Sequence, residues 1–122
     1  MKIEKFEDLN CWKEARILVK MVFQLAQNKK LEKDFGTRNQ LTRAAVSIMN
    51  NIAEGFGRYH RKEFIRFLDF SQSSAAEVKS MLYLLEDVDY GTPEQLIELH
   101  LQVDKTRNLT LGLIKYLDGK KE

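Results

Sequence analysis

Gln40-Leu41-Thr42-Arg43-Ala44-Ala45-Val46-Ser47-Ile48-Met49-Asn50-Asn51-Ile52-Ala53-Glu54-Gly55-Phe56-Gly57-Arg58 is the stretch that decides the fold. Leu41, Ala45, Ile48 and Ile52 recur at spacings of four, three and four, which places them on one face of an α-helix. Arg43, Ser47, Asn50, Asn51 and Glu54 follow the same rhythm and form a polar stripe beside the apolar one. No alternation of period two competes with this reading. Gly55-Phe56-Gly57 breaks the pattern and suits a helix C-cap and tight turn. Upstream, Thr37 and Gln40 have the spacing of a capping box. The second helix is therefore predicted from Thr37 to about Glu54.

Reading outward, a third helix is predicted from about Arg61 to Asp87. Its stripe is Phe64, Phe67/Leu68, Ser71, Ala75, Val78, Leu82 and Leu85, and the small residues from Ser71 to Ala76 allow a neighbouring helix to come close. Asp89-Tyr90-Gly91-Thr92-Pro93 is the clearest boundary: Gly91 for a left-handed turn, Thr92 for the N-cap, Pro93 for the first helical position and Gln95 for the capping box. The fourth helix runs to about Leu117 on Leu96, Leu99/His100, Val103, Thr110, Leu113/Ile114 and Leu117, before Gly119 and the charged end Lys120-Lys121-Glu122. The first helix is predicted from about Asp8 to Asn28 on Trp12, Ala15, Val19, Val22 and Ala26, widened by Cys11, Leu18 and Leu25. Ile17, Met21 and Phe23 lie outside that face, so this helix is expected to bury more than one side. Asn28 to Gly36 is predicted as a loop. Short connections between long amphipathic helices favour antiparallel neighbours. The fold class is all-α, an antiparallel up-and-down four-helix bundle in a single domain over residues 1–122. Trp12, Leu41, Ile48, Ile52, Phe67, Val78, Leu82 and Leu113 are its expected core.

Composition agrees. The chain has 122 residues, 43% hydrophobic and 31% charged, with one proline and six glycines, which suits one compact core and few breaks. The net charge of +2 gives little long-range attraction to nucleic acid, so such a role needs a local patch. A lone Cys11 cannot form an internal disulfide and fits a reducing compartment. No apolar run approaches the roughly 20 residues that span a bilayer, and Met1-Lys2-Ile3-Glu4-Lys5 leads into no signal core. A cytoplasmic location with no membrane partner is the expectation.

Catalytic and metal chemistry find little support. A di-iron bundle needs Glu-x-x-His pairs, but Gly57 stands three residues before His60 and Ile97 three before His100. His60 and Glu63 have the reverse order. Cys11 lies near a helix start, where a thiolate is favoured, yet no base is positioned for it. The glycines at 55 and 57 follow a helix, unlike a phosphate-cradling loop. No enzyme, metal or cofactor is expected.

Two clusters remain. The stripe of Arg43, Ser47, Asn50, Asn51 and Glu54 reads as a solvent face, a subunit contact or a hydrogen-bond network. Asn and Ser are mediocre helix formers, which argues for more than solvent. The second cluster is Arg58, Tyr59, His60, Arg61, Lys62 and Arg66, offset locally by Glu63 alone. It reads as a solvated helix start with salt bridges, or as a grip on phosphates with an aromatic for stacking. Bases at a helix N-terminus oppose the helix dipole, which points to RNA, DNA or an acidic protein partner.

The stretch from Gln40 to Arg58 also resembles the signature of the 23S rRNA intervening-sequence protein family, also called the S23 or four-helix-bundle family. Lys62-Glu63-Phe64, Phe67-Leu68, Ser73-Ser74 and Glu77 are similar to its third helix, Asp8-Leu9 with Trp12 and Ala15 to its opening, and Phe35-Gly36 to its first loop. Met49-Asn50 stand where the family usually has Pro-Ser, which removes the cause of a kink, and the usual Phe-Pro of the first loop is missing. The resemblance implies an up-and-down four-helix bundle, a ring-like homopentamer and no known catalytic activity. A related bundle, the accessory protein of diversity-generating retroelements, binds nucleic acid through a basic pentamer, an analogy at the level of fold.

Overall fold

The computed structural model describes residues 3–120. The ends Met1-Lys2 and Lys121-Glu122, read above as part of a leaderless start and a charged tail, lie outside the described residues. A 3-10 turn at Phe6–Asp8 leads into α1 (Asn10–Leu25). The short α2 (Lys29–Lys33), α3 (Phe35–Gly57), α4 (Arg61–Asp87) and α5 (Pro93–Asp118) follow. The four long helices form the bundle. Among the described residues there is no strand.

Cross-helix bonds give the direction of each neighbour. Between α3 and α4, Ser47 meets Ser74 at 2.8 Å and Gln40 donates to Glu77 at 3.2 Å. Between α4 and α5, Lys79 meets Asp104 at 3.0 Å and Gln72 donates to the Arg107 carbonyl at 3.0 Å. In both pairs one residue number rises as the other falls, the mark of antiparallel helices. Between α5 and α1, Gln102 donates to Glu14 at 2.9 Å and Thr110 hydrogen-bonds to Cys11, again with one number rising as the other falls. The long helices therefore run up, down, up and down.

The core is the interior of this ring of helices. Leu18, Leu41, Ala45, Ile48, Ile52, Leu68, Val78, Leu82 and Val103 are fully buried. Leu113 is buried as well. Trp12 and Phe67 are only half-buried, contrary to their assignment as core. Each lies at a helix edge: Trp12 packs against Phe6 with ring centroids 5.1 Å apart, and Phe67 against Phe70 at 5.5 Å. Ile17 and Phe23 stay about half exposed, so a single chain does not bury a second side of α1.

The small-residue run on α4 does bring a helix close. Ser71 is buried and donates to the Ile48 carbonyl at 2.9 Å, which satisfies its hydroxyl in the core. Thr106 and Thr110 on α5 meet the same need by donating to the carbonyls four residues back, at 2.8 Å each.

Local signals were read correctly at one boundary and misread at two. Gly91 has φ +98°, Thr92 accepts from the Gln95 amide at 3.1 Å, and Pro93 opens α5 as expected. Thr37 is not the N-cap of α3. Asp34 takes that place, accepting from the Thr37 amide at 3.2 Å and the Thr37 hydroxyl at 2.9 Å. Tyr90 donates to the same carboxylate at 3.1 Å, and these bonds hold Asp34 below the usual carboxylate range. Carboxylate caps are as good as hydroxyl caps and carry the favoured charge for a helix start. The loop before it contains α2, capped by Asn28, which accepts from the Lys30 and Leu31 amides.

The second misreading concerns Gly55-Phe56-Gly57, which is the last turn of α3 and not a break after Glu54. The helix runs unbroken through Gly57, and the left-handed residue of the turn is Tyr59, at φ 57°. Packing supplies the reason. A Cβ at Gly55 would lie 2.7 Å from the Phe67 Cβ, so this glycine is the site where α3 and α4 touch. Phe56 then meets Phe64 edge-on at 5.8 Å. Tertiary contact overrides the weak helix propensity of glycine.

Candidate nucleic-acid interface

The α3–α4 turn places Arg58, Tyr59 and His60 at one end of the bundle, all exposed. Among the described residues Tyr59 is the most open large hydrophobic side chain, 88% exposed, and its backbone is left-handed. Arg58 pairs with Glu54 at 3.1 Å, and its guanidinium lies 4.9 Å from the Phe67 ring centroid. Arg66 pairs with Glu63 at 3.4 Å and lies over Phe70 at 5.2 Å. These exposed ion pairs are weak and easily exchanged for other anions. Lys62 is exposed on the first turn of α4.

Arg61 has a different position. Its Nη1 donates to the Leu117 carbonyl at 3.3 Å, in the last turn of α5. The helix dipole explains the arrangement. Bases at the start of α4 oppose its dipole, but the same end of the bundle holds the C-termini of α3 and α5, whose free carbonyls favour cations. That geometry also adds Lys115 and Lys120, which sequence reasoning missed. Lys120 lies 4.8 Å from the Tyr116 ring centroid and, by hydrogen bonding, holds that phenol below its usual range. Only the antiparallel return of α5 brings these lysines beside residues 58–66. A basic last turn was the available signal.

The polar stripe of α3 divides in two. Ser47 and Asn51 are half-buried in the α3–α4 seam, where Asn51 donates to the Ser47 carbonyl and hydroxyl at 2.9 Å each and Ser47 meets Ser74. Arg43, Asn50 and Glu54 are exposed. All five line an open groove of about 720 Å³ with Phe23 at one side and Phe67 at the other. The stripe thus combines a hydrogen-bond network with a face still open to solvent.

Elsewhere the chemistry is sparse. Cys11 is buried, and desolvation, partly offset by a hydrogen bond to Thr110, pushes its thiol up to about 11. A protonated thiol is a poor nucleophile. Among the described residues no group of three His, Cys, Asp or Glu could hold a metal ion, and no helix is long and apolar enough to cross a membrane.

Comparison with known proteins extends this picture. The sequence pattern of the 23S rRNA-intervening sequence proteins matches residues 7–112, across every long helix. The chain belongs to this family. Its fold is similar to the crystal structure of a protein of unknown function from the S23 ribosomal protein family of Bacteroides thetaiotaomicron. The TM-score is 0.78 at 25% identity, over 86% of this chain and 98% of that one. No curated protein matches the chain. The structural likeness supports the bundle, and neither description names a catalytic activity.

Proposed function

We propose that this member of the family is a non-catalytic, oligomeric protein that binds nucleic acid, structured RNA foremost, through the basic end of its bundle. The observation that carries the reading is that the α3–α4 turn and the start of α4, with Arg58, Arg61, Lys62 and Arg66, share one end of the bundle with the last turn of α5, which carries Lys115 and Lys120, and that Tyr59 is exposed at this end. Cations positioned by helix C-termini supply sequence-independent attraction to phosphates, and an exposed aromatic supplies a stacking platform. The half-open Ile17 and Phe23, and the exposed part of the α3 stripe, support self-association. A closed ring forms when a heterologous interface has a rotation that closes. A homopentamer is the assembly we propose, and it would present the basic end once per subunit, so that weak contacts add by multivalency.

Anisotropy titration of a labelled RNA hairpin at several salt concentrations tests the binding. Each phosphate contact contributes about 0.7–0.9 to the log–log salt slope. Lys62→Gln and Arg66→Gln should each flatten the slope by about that amount and leave the particle size unchanged. If the wild-type protein binds neither RNA nor DNA in a salt-sensitive way at low ionic strength, the reading fails. Loss of an acidic protein partner in those variants, with RNA affinity unmoved, would favour an adaptor instead. Light scattering that reports a monomer throughout the micromolar range would remove the ring.

A further inference from the structure

The stretch from Ser80 to Asp104 carries six carboxylates, Glu86, Asp87, Asp89, Glu94, Glu98 and Asp104, and no lysine or arginine. It forms the last turns of α4, the α4–α5 turn and the first turns of α5. The same stretch leaves Tyr83, Leu84, Val88, Ile97 and Leu101 exposed. Ile97 and Leu101, 59% and 65% open, are four residues apart and share one face of α5. His100, between them, meets the Tyr83 ring at a tilt with centroids 4.6 Å apart and joins this face to α4. The flanking bases are already engaged: Lys79 with Asp104 at 3.0 Å and Lys105 with Glu14 at 3.4 Å.

Single exposed apolar residues are ordinary, but a group of them on one end of a molecule marks a contact surface. The surrounding carboxylates select the occupant. Nucleic acid and anionic lipid are repelled. A second copy applying the same face would set carboxylate against carboxylate, which interfaces avoid. The chain's own basic end matches the charge, but its exposed apolar side chains are Tyr59 and Tyr116, not an aliphatic row that could meet Ile97 and Leu101. A helix with one apolar and one basic face satisfies both the apolar row and the acidic surround.

We propose that the surface formed by Tyr83, Ile97 and Leu101, ringed by Glu86, Asp87, Glu94 and Glu98, docks a basic amphipathic helix of a partner protein. The apolar side chains of that helix rest on Tyr83, Ile97 and Leu101, and its lysines or arginines meet the carboxylates. Along α4 the surface lies about 30 Å from Lys62, at a rise of 1.5 Å per residue. It stands independently of the nucleic-acid reading, and both ends can be occupied at once.

The test uses the full chain and a fluorescein-labelled helical peptide of about 18 residues, roughly five turns, with leucines on one face and lysines on the other. A twin peptide carries glutamates in place of the lysines. Anisotropy should show binding of the basic peptide that weakens with salt, and none of the acidic twin. Ile97→Asp combined with Leu101→Asp should weaken binding roughly tenfold or more, although it adds negative charge. Glu94→Lys with Glu98→Lys should do the same, and Lys62→Gln should change nothing. All of these positions are exposed, and circular dichroism checks that each variant is folded. The proposal is overturned if the basic peptide fails to bind at low salt, if the acidic twin binds equally, or if the double Asp variant binds like wild type. A smaller particle for the double Asp variant in light scattering would assign the surface to a second copy and overturn it too.

Discussion

Gly55→Ala and Gly57→Ala form a matched pair that isolates the α3–α4 contact. Both residues lie in the last turn of α3, two positions apart. Both substitutions reduce the freedom of the unfolded chain and raise helix propensity, together worth about 0.5–1 kcal/mol in favour of folding. At Gly57 nothing lies within 4 Å of the added methyl, so that gain should appear undiminished. At Gly55 the methyl meets the Phe67 Cβ at 2.7 Å, Phe64 Cδ1 at 3.1 Å and the Phe64 carbonyl at 3.2 Å. Carbon atoms prefer separations of about 3.5–4.0 Å, so α4 must retreat by nearly an ångström or the two phenylalanines must leave their places. Overpacking of this kind costs about 1–3 kcal/mol. The gain is common to both, so the Gly55 variant should be less stable than the Gly57 variant by the overpacking cost alone, about 1–3 kcal/mol. Urea unfolding at matched protein concentration, followed by helicity, measures the difference. If Gly55→Ala proves as stable as Gly57→Ala, the close approach assigned to residue 55 is wrong, and so is the reason given for α3 running through the glycines.

Leu82→Ala, at a fully buried position, should cost about 2–5 kcal/mol in the same urea assay, whereas a cost below about 1 kcal/mol would place that side chain outside the core. Alkylation of Cys11 at mildly alkaline pH should be slow and should accelerate with urea in step with unfolding, because burial keeps the thiol protonated up to about pH 11; rapid labelling of the folded chain would contradict this. His100 has both ring nitrogens buried without a hydrogen-bond partner in the described structure. Desolvation first, and then Lys79, lower its pKa against the opposing pull of Glu86 and Asp104. With the folded pKa below the unfolded one, its contribution is fully present above about pH 6.5 and is lost progressively as pH falls from there through the lower folded pKa. His100→Phe should remove this part of the acid sensitivity, and an NMR titration giving an ordinary histidine pKa would refute the assignment.

The apolar rhythm of each segment was enough to determine the four long helices, their order and most of the buried face, but not the short α2. Leu41, Ala45, Ile48 and Ile52 are all fully buried, because a stripe of period 3.6 has only one way to leave water. Gly91-Thr92-Pro93 fixed a boundary for equally local reasons: φ sign, side-chain cap and a missing amide all act within one turn. The family resemblance carried by residues 40–58 was legible at the same level. The basic cluster at 58–66 could be read as a cluster, but not as a site.

Tertiary structure decided whatever depends on residues distant in sequence. Asp34 displaced Thr37 as the cap of α3 while receiving a bond from Tyr90, fifty-six positions away. Gly55 became a point of helix contact instead of a stop because Phe64 and Phe67 face it across the seam. Ser47 and Asn51 left the solvent stripe for a hydrogen-bond network because Ser74 stands opposite. Lys115 and Lys120 joined the basic end because α5 returns antiparallel to α4 and lays its carbonyls beside Arg61. Periodicity specifies which face of a helix avoids water. It does not specify which neighbour supplies the atoms on the other side, and those atoms decide where helices end, which polar groups are spent on the fold and which charges are left for a partner.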